Sequence, residues 1–455
     1  MAQLANGHAV TPVIQKRQLT WFDSTSIIVG TIIGAGIYQS ASGVASSVET
    51  PWALFALWLF GGCFSLCGAM CYAELASALP RSGGDLVYLN RAYGNWAGFL
   101  FGWLQMVVIR PGDIAIIAFA FATYFQTLLH HNNANPNGWT SGIAASAIVV
   151  LTLINILGVR QGKWIQNLLT SLKVLGLLGI VIVAFMAPAS APVIESANVV
   201  PESIPISVAL IFVLFTFGGW NEMAYIAAEV KHPEKNLFRS LISGTVIVTF
   251  LYLMINGAFL HVLGLQGMSQ SSAIATDTVK VIFPNIGSSL VSMLICISTL
   301  GTVNGMILTG SRINFALGTE HPTFRLLGRW EGRTGTPVNA LLVQGLITVT
   351  LILLLGSFTS AILYTSAAVY TFYLATGIAV VVLRKNAPDL VRPYRVTGYP
   401  IPLVFFAGIC LFLIYSAIRY RPIMAAAVCV LALVGSIIYM VEKRVRIARS
   451  INHIE

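Results

Sequence analysis

Mainly apolar stretches of about twenty residues, separated by short polar segments, recur twelve times along the chain. Their approximate windows are 18–41, 51–74, 96–129, 142–159, 164–187, 205–229, 240–262, 286–317, 338–356, 360–383, 400–418 and 423–441. At a rise of ~1.5 Å per residue, about twenty residues cross the ~30 Å hydrocarbon core of a bilayer as a helix. The alternating ten-residue pattern of a transmembrane barrel is missing, and lipid offers no partner to an open backbone. The pattern therefore predicts an all-α integral membrane protein with 12 transmembrane helices. Residues Met1–Thr20 contain no apolar h-region, so no cleavable signal peptide is expected.

Composition agrees with this picture. Of 455 residues, 56% are hydrophobic and 9% charged, where soluble domains average roughly 45–50% and 25%. Such a chain cannot clothe a soluble surface in polar groups. There are 26 Lys and Arg against 16 Asp and Glu, a net charge of +10. In a soluble protein this excess would suggest nucleic acid as a partner. Here 20 of the 26 basic residues fall in loops on one side of the twelve-span arrangement, with only Lys280, Arg419 and Arg421 opposite. Cytoplasmic loops collect Lys and Arg, so both termini, the tails 1–17 and 442–455, are expected in the cytoplasm of a cell-membrane protein. Nucleic acid is not needed to explain the charge.

Several chemistries are missing. No Lys precedes Ser or Thr, so there is no P-loop; no His precedes Glu, and no G-x-S-x-G elbow occurs. Cys63, Cys67 and Cys71 share a helical face but have no converging His or carboxylate, and read as small packing residues. No Asn-x-Ser/Thr sequon occurs. An enzyme, a cofactor and a metal site are all unexpected.

Two spans carry interruptions. Span 1 reads Gly30, Thr31, Ile32, Ile33, Gly34, Ala35, Gly36, Ile37, Tyr38, and each glycine costs a helix about 1 kcal/mol relative to alanine. Gly30-x-x-x-Gly34 alone could be a helix-packing face. Span 6 repeats the theme with Phe215, Thr216, Phe217, Gly218, Gly219, Trp220, Asn221 and Glu222. Spans 1 and 6 open two five-span halves (residues 18–187 and 205–383, with 400–441 as two additional helices). Glycine-interrupted segments at corresponding places in two halves point to a transporter's substrate site. Freed N–H groups at the start of a half-helix suit a carboxylate, and freed carbonyls suit an ammonium. Backbone alone can thus hold the zwitterionic end of an amino acid.

At these residues the sequence resembles the L-type amino-acid transporter family of the amino acid–polyamine–organocation superfamily. The marks are G-T-I-I-G-A-G-I-Y (30–38), C-Y-A-E-L-A-S-A-L-P-R-S-G-G-D (71–85), I-R-P (109–111), F-G-G-W-N (217–221) and T-V-N-G-M-I-L-T-G-S-R (302–312), in order from about residue 18 to 445. The resemblance implies the LeuT fold, two inverted five-helix repeats plus two helices, and alternating access. It implies that the substrate carboxylate sits on N–H groups near Gly34, Ala35 and Gly36, and that the ammonium meets carbonyls of Ile32, Phe215 and Gly218. The Phe215 ring would gate the substrate from outside, Asn221 and Asn304 would line the pocket, and Trp220 would pack behind it. Many members have serine where Ala35 stands, so one hydroxyl contact to the carboxylate is missing here.

Lys173 lies mid-span, about nine residues from either end of span 5, too deep to snorkel. In sodium-coupled relatives an ion bridges spans 1, 5 and 8 at this depth, so the resemblance implies that the Lys173 ammonium replaces it and that transport is Na⁺-independent. Arg110, with Asp113 at i+3 on the same face, reads as a self-neutralising pair or as a gating group. Glu222 reads as a proton site, or as a carboxylate turned toward Arg110 or a solvated crevice. His130 and His131 are expected to end span 3 at the outer surface. Segment 74–93 is expected to hold an inner-face gate helix, and segment 232–239 the corresponding turn after span 6. Eukaryotic members of the family pair with a glycoprotein through a cysteine in the loop after span 3; residues 130–141 contain none, so no disulfide-linked partner is expected. The leading expectation is an exchanger of neutral, small L-amino acids. Its rivals are a proton-coupled symporter and a non-transporting sensor or channel.

Overall fold

The computed structural model describes residues 19–81, 83–129, 136–157, 163–187, 204–225, 227–284, 287–332 and 334–451. His130 and His131, most of the outer loop that follows them, and the N-terminal tail lie outside these residues. All described elements are helical apart from two isolated β-bridges.

The chain opens on α1 (Trp21–Ile32), whose start is set by a capping box: Thr20 Oγ1 accepts from Asp23 N at 3.3 Å, and Asp23 Oδ2 accepts from Thr20 N at 2.9 Å. After a break at 33–35 comes α2 (Gly36–Ser46), bent 49° from α1. Next are α3 (Pro51–Ala78), capped by Thr50 with Pro51 in the first turn, and α4 (Asp85–Tyr93). Span 3 is α5 (Asn95–Leu104) and α6 (Arg110–Leu128), joined by one π-turn, Gln105–Ile109. Pro111 has no N–H to offer the carbonyl four residues back, and Arg110 N instead reaches Gln105 O, five residues back. Then follow α7 (Pro136–Ile156), α8 (Lys163–Met186), α9 (Ile206–Thr216) and the single turn α10 (Glu222–Tyr225). The rest are α11 (Pro233–Gln270), α12 (Ile274–Lys280), α13 (Gly287–Glu320), α14 (Val338–Leu355), α15 (Phe358–Asn386), α16 (Ile401–Tyr420) and α17 (Pro422–Ile451).

Among the described residues, nine helices are long and apolar enough to cross a membrane, and α1 with α2 makes a tenth. Two shorter apolar helices, Thr170–Met186 and Ile206–Thr216, lie in the fifth and sixth windows. The helices extend beyond several windows: α11 runs to Gln270 with a kink at Gly264 (φ 65°), and α17 continues through residues assigned to the C-terminal tail. Segment 232–239 is not a turn. Pro233 opens α11, because proline's fixed φ and missing N–H suit a first helical turn.

Two glycines bring the interrupted spans together. A Cβ at Gly36 would lie 3.1 Å from Thr216 Cα, and one at Gly219 (φ +102°) would lie 3.2 Å from the Thr31 carbonyl carbon. A side chain at either place would push the two breaks apart. Gly34 has no such neighbour, so space does not require a glycine there. The same two spans are also linked by a parallel β-bridge, Leu19 N donating to Glu229 O (3.0 Å) and Lys231 N to Leu19 O (2.8 Å). At one end of the bundle, Glu74 (1% exposed) accepts from Arg384 Nε and Nη2 (2.8 and 2.6 Å) and from Val396 N (2.7 Å). This carboxylate ties α3 to α15 and to the segment before α16.

Candidate substrate site

One cavity of about 110 Å³ lies where the two interrupted helices meet. At ~10–15 Å³ per water centre, it has room for about eight water-sized groups, the scale of a small or medium amino acid. The first break contributes Thr31, Ile32, Gly34, Ala35 and Gly36; the second contributes Phe215, Thr216, Gly218, Gly219, Asn221 and Glu222. Span 3 supplies Gln105, Arg110 and Asp113, and α15 supplies Thr365, Ser366, Tyr370 and Tyr373.

The breaks free backbone groups as unwound helices must. Among the described residues, the N–H groups of Ala35, Gly36 and Ile37 and the carbonyls of Thr31, Ile33 and Gly34 make no backbone hydrogen bond. The Ile32 carbonyl is different. It already accepts from Gly34 N at 2.8 Å and Tyr252 Oη–H at 2.9 Å, one donor for each lone pair. Phe215 O accepts from Gly218 N at 2.8 Å. The acceptors left open at span 1 are thus Ile32's neighbours rather than Ile32 itself.

The other residues singled out from the sequence divide into two groups. Phe215 lines the cavity and meets the Phe358 ring edge-on, with centroids 6.2 Å apart. Asn221 lines it too, its Oδ1 accepting from Tyr373 Oη–H at 3.1 Å. Trp220, 1% exposed, lies behind it among Tyr72, Tyr373 and Phe406. Asn304 does not line the cavity: it lies against Asn155, whose Nδ2 donates to its Oδ1 at 2.5 Å. Lys173 is also outside the cavity wall and bridges three helices, donating to Gly30 O in α1 (3.1 Å) and Thr302 Oγ1 in α13 (2.8 Å).

Arg110 does not pair with Asp113. Its Nη2 meets Glu222 Oε1 at 3.2 Å, joining span 3 to the second break. The i+3 spacing put Asp113 on the right face, but Glu222, at the start of α10 just after the second break, presents its carboxylate from the opposite wall, which is the alternative of a Glu222 turned toward Arg110.

Three features were not anticipated. Tyr252, fully buried on α11, donates from one hydroxyl to both Ile32 O (2.9 Å) and Thr216 O (3.1 Å), so one side chain holds both breaks. Asp85, at the first turn of α4, accepts from Tyr72, from Tyr225 (2.8 Å) and from Thr376 (2.7 Å) at one end of the cavity. Gln105 (6% exposed) lines the cavity from the π-turn, and its Oε1 has no partner among the described residues. Pro111 was the available signal for the π-turn. Tyr252, one aromatic in an apolar span, gave none.

Comparison with known proteins completes the picture. The amino acid permease family model matches residues 19–441. Over 430 residues the chain is 31% identical to b(0,+)-type amino acid transporter 1 of Mus musculus, covering 93% of this chain and 87% of that one. It is 32% identical over 413 residues to the serine/threonine exchanger SteT of Bacillus subtilis (strain 168), covering 86% and 89%. It is 31% identical over 413 residues to large neutral amino acids transporter small subunit 2 of Mus musculus, covering 89% and 77%. A family match over nearly the whole chain, with membrane-length helices throughout, makes this a multi-pass membrane transporter and not an enzyme: the chain belongs to the amino acid permease family.

Proposed function

We propose that the protein is a Na⁺-independent exchanger of neutral, small L-amino acids. It works by alternating access across the cell membrane, in a twelve-span LeuT-type arrangement with both termini cytoplasmic. One observation carries the reading: two interrupted helices from corresponding places in the chain share the wall of a single cavity. The open N–H groups at Ala35–Ile37 face a substrate carboxylate, and the open carbonyls near Thr31 and Ile33 take its ammonium. Phe215 covers the site from the outer side. The free energy of recognition comes from backbone already unwound, so little ordering is required on binding.

Na⁺-independence rests on Lys173. Its ammonium donates to a span-1 carbonyl and a span-8 hydroxyl from span 5, supplying a fixed positive charge where a coupling cation would otherwise join the same three helices. Glu222 is engaged by Arg110, which favours exchange over a proton cycle through that carboxylate. The SteT relative is named a serine/threonine exchanger, in keeping with a small-substrate site.

The test is counterflow in proteoliposomes. Vesicles loaded with unlabelled alanine should accumulate labelled alanine from outside, equally in sodium and choline buffers and without a pH gradient. Uptake that needs sodium or a proton gradient, or that ignores internal alanine, would overturn the reading.

A further inference from the structure

Over its first five turns α11 keeps one face outward. Lys235 and Arg239 stand on it at i and i+4, both exposed, and Val246, Ile247 and Phe250 (62% exposed) continue it into the apolar part of the helix. From Arg239 to Phe250 the rise is about 16 Å at ~1.5 Å per residue, close to one leaflet of a hydrocarbon core ~30 Å thick. The face is walled on both sides. On one, the Phe238 ring stacks on Tyr394 with centroids 4.1 Å apart. On the other lies α1: Thr25 Oγ1 is 3.3 Å from Ser243 Oγ, and Tyr252 Oη–H donates to Ile32 O at 2.9 Å. These contacts rise in step, so α1 and α11 run in the same direction, and one turn before the first of them Trp21 stands level with Arg239. Trp21 and Phe22 are exposed, and an indole favours the boundary between hydrocarbon and headgroups. Neither Lys235 nor Arg239 makes an ion pair among the described residues. The nearby acids are engaged elsewhere: Asp23 caps α1 with Thr20, and Glu234, one step round the helix, lies 3.5 Å from His232. Lys235 also occupies the first turn of α11, where the helix dipole disfavours a cation and favours an anion. Both features call for an anion from outside the chain, and the apolar residues in line with them fit one that carries hydrocarbon.

We propose that this face binds an anionic phospholipid of the leaflet in which α1 and α11 begin. Its phosphodiester lies between Lys235 and Arg239 beside the Trp21 indole, and an acyl chain follows Val246, Ile247 and Phe250. The guanidinium takes two phosphate oxygens at once, and the lysine adds a point charge. A headgroup seated there touches both α1 and α11, so the lipid braces the half of the first interrupted span that precedes its break. The binding is independent of which cargo the carrier moves.

The test is thermal melting of the purified full chain in a neutral detergent, with dioleoylphosphatidylglycerol, dioleoylphosphatidylcholine or inorganic phosphate added. Phosphatidylglycerol should raise the melting temperature by several degrees, and the other two should leave it unmoved. Lys235→Gln combined with Arg239→Gln should raise the phosphatidylglycerol concentration for half of that effect at least about tenfold, since two surface cations are lost. Arg325→Gln combined with Arg329→Gln, an exposed basic pair between α13 and α14, should keep the wild-type concentration. An equal rise with phosphatidylcholine would mean a lipid face without headgroup recognition, and an equal rise with inorganic phosphate an anion site without lipid; either overturns the proposal. So does an unchanged half-effect concentration in the Lys235/Arg239 variant, or an equal loss in the Arg325/Arg329 variant. If the Lys235/Arg239 variant cannot be purified, a wild-type response in both Lys235→Gln and Arg239→Gln singly decides against the site. Melting needs no transport, so a missing lipid response leaves the exchanger reading standing, and failed counterflow leaves the lipid site standing.

Discussion

Replacing Tyr252 with phenylalanine removes one oxygen and tests how the two broken helices are held together. The hydroxyl shares a single proton between Ile32 O at 2.9 Å and Thr216 O at 3.1 Å. Ile32 O keeps its Gly34 N donor after the change, but Thr216 O accepts no other hydrogen bond among the described residues. A buried acceptor left without a donor costs about 1–3 kcal/mol. Because the loss falls on the walls of the cavity, it should appear in substrate affinity, with KM raised about 5- to 150-fold at ~1.4 kcal/mol per tenfold. The ring stays, so its contacts with Trp58 (5.7 Å between centroids) and Phe217 (5.1 Å) persist. The assay is the concentration dependence of alanine counterflow, run beside thermal melting in detergent for Tyr252→Phe and Tyr252→Ala. A raised KM with near-normal melting in the phenylalanine variant is expected, with early melting confined to alanine. A wild-type KM in Tyr252→Phe would refute the bracing role. Equally early melting of both variants would move the residue's contribution to general stability.

Two further outcomes follow from the same contacts. Lys173→Ala removes two charge-assisted hydrogen bonds that join α8 to α1 and α13, each worth about 1.5–3 kcal/mol; counterflow should fall at least about a hundredfold, and unchanged uptake would dismiss the ion-replacement role. Glu74→Ala strips the carboxylate from Arg384 and Val396 N. Breaking a pair with one fully buried partner costs about 3 kcal/mol or more, so the purified variant should melt several degrees earlier, whereas an unshifted melting curve would show the anchor to be idle.

Much of the architecture was written in hydropathy. A window such as 338–356 becomes α14 (Val338–Leu355) with barely a residue's change, because a lipid-facing helix must be apolar along its length. The breaks at 33–35 and 217–221 were legible for a related reason: clustered glycines lower helix stability where nothing else compensates. What the sequence hid was partner choice across space. Arg110 sits three residues from Asp113, yet pairs with Glu222, 112 positions away, a choice the sequence offered only as one of several readings. Asn304 fell in a matching motif, yet its carbonyl oxygen is taken by Asn155 in α7. Local spacing tells which face of a helix a group occupies, while the element packed opposite decides what that group meets.

A recognition site made from unwound backbone is tolerated inside a bilayer only where its freed groups are buried in protein or line a cavity that holds water or a ligand. The chain divides those groups into two classes. Some are closed by groups of its own: Ile32 O by Gly34 N and Tyr252, Thr216 O by Tyr252, Gly30 O by Lys173. The rest, the N–H groups of Ala35–Ile37 and the carbonyls of Thr31, Ile33 and Gly34, make no backbone hydrogen bond, and of these residues Thr31, Gly34, Ala35 and Gly36 line the cavity. A zwitterion is the ligand that answers both kinds at once, since one end accepts and the other donates. On this reasoning substrate binding itself completes the hydrogen bonding of both breaks, so the occupied protein should be the form in which the interrupted helices can move together. An exchanger needs that property: where a bound zwitterion, rather than separate waters, joins the two breaks into one unit, reorientation is coupled to cargo, and each inward passage is matched by an outward one.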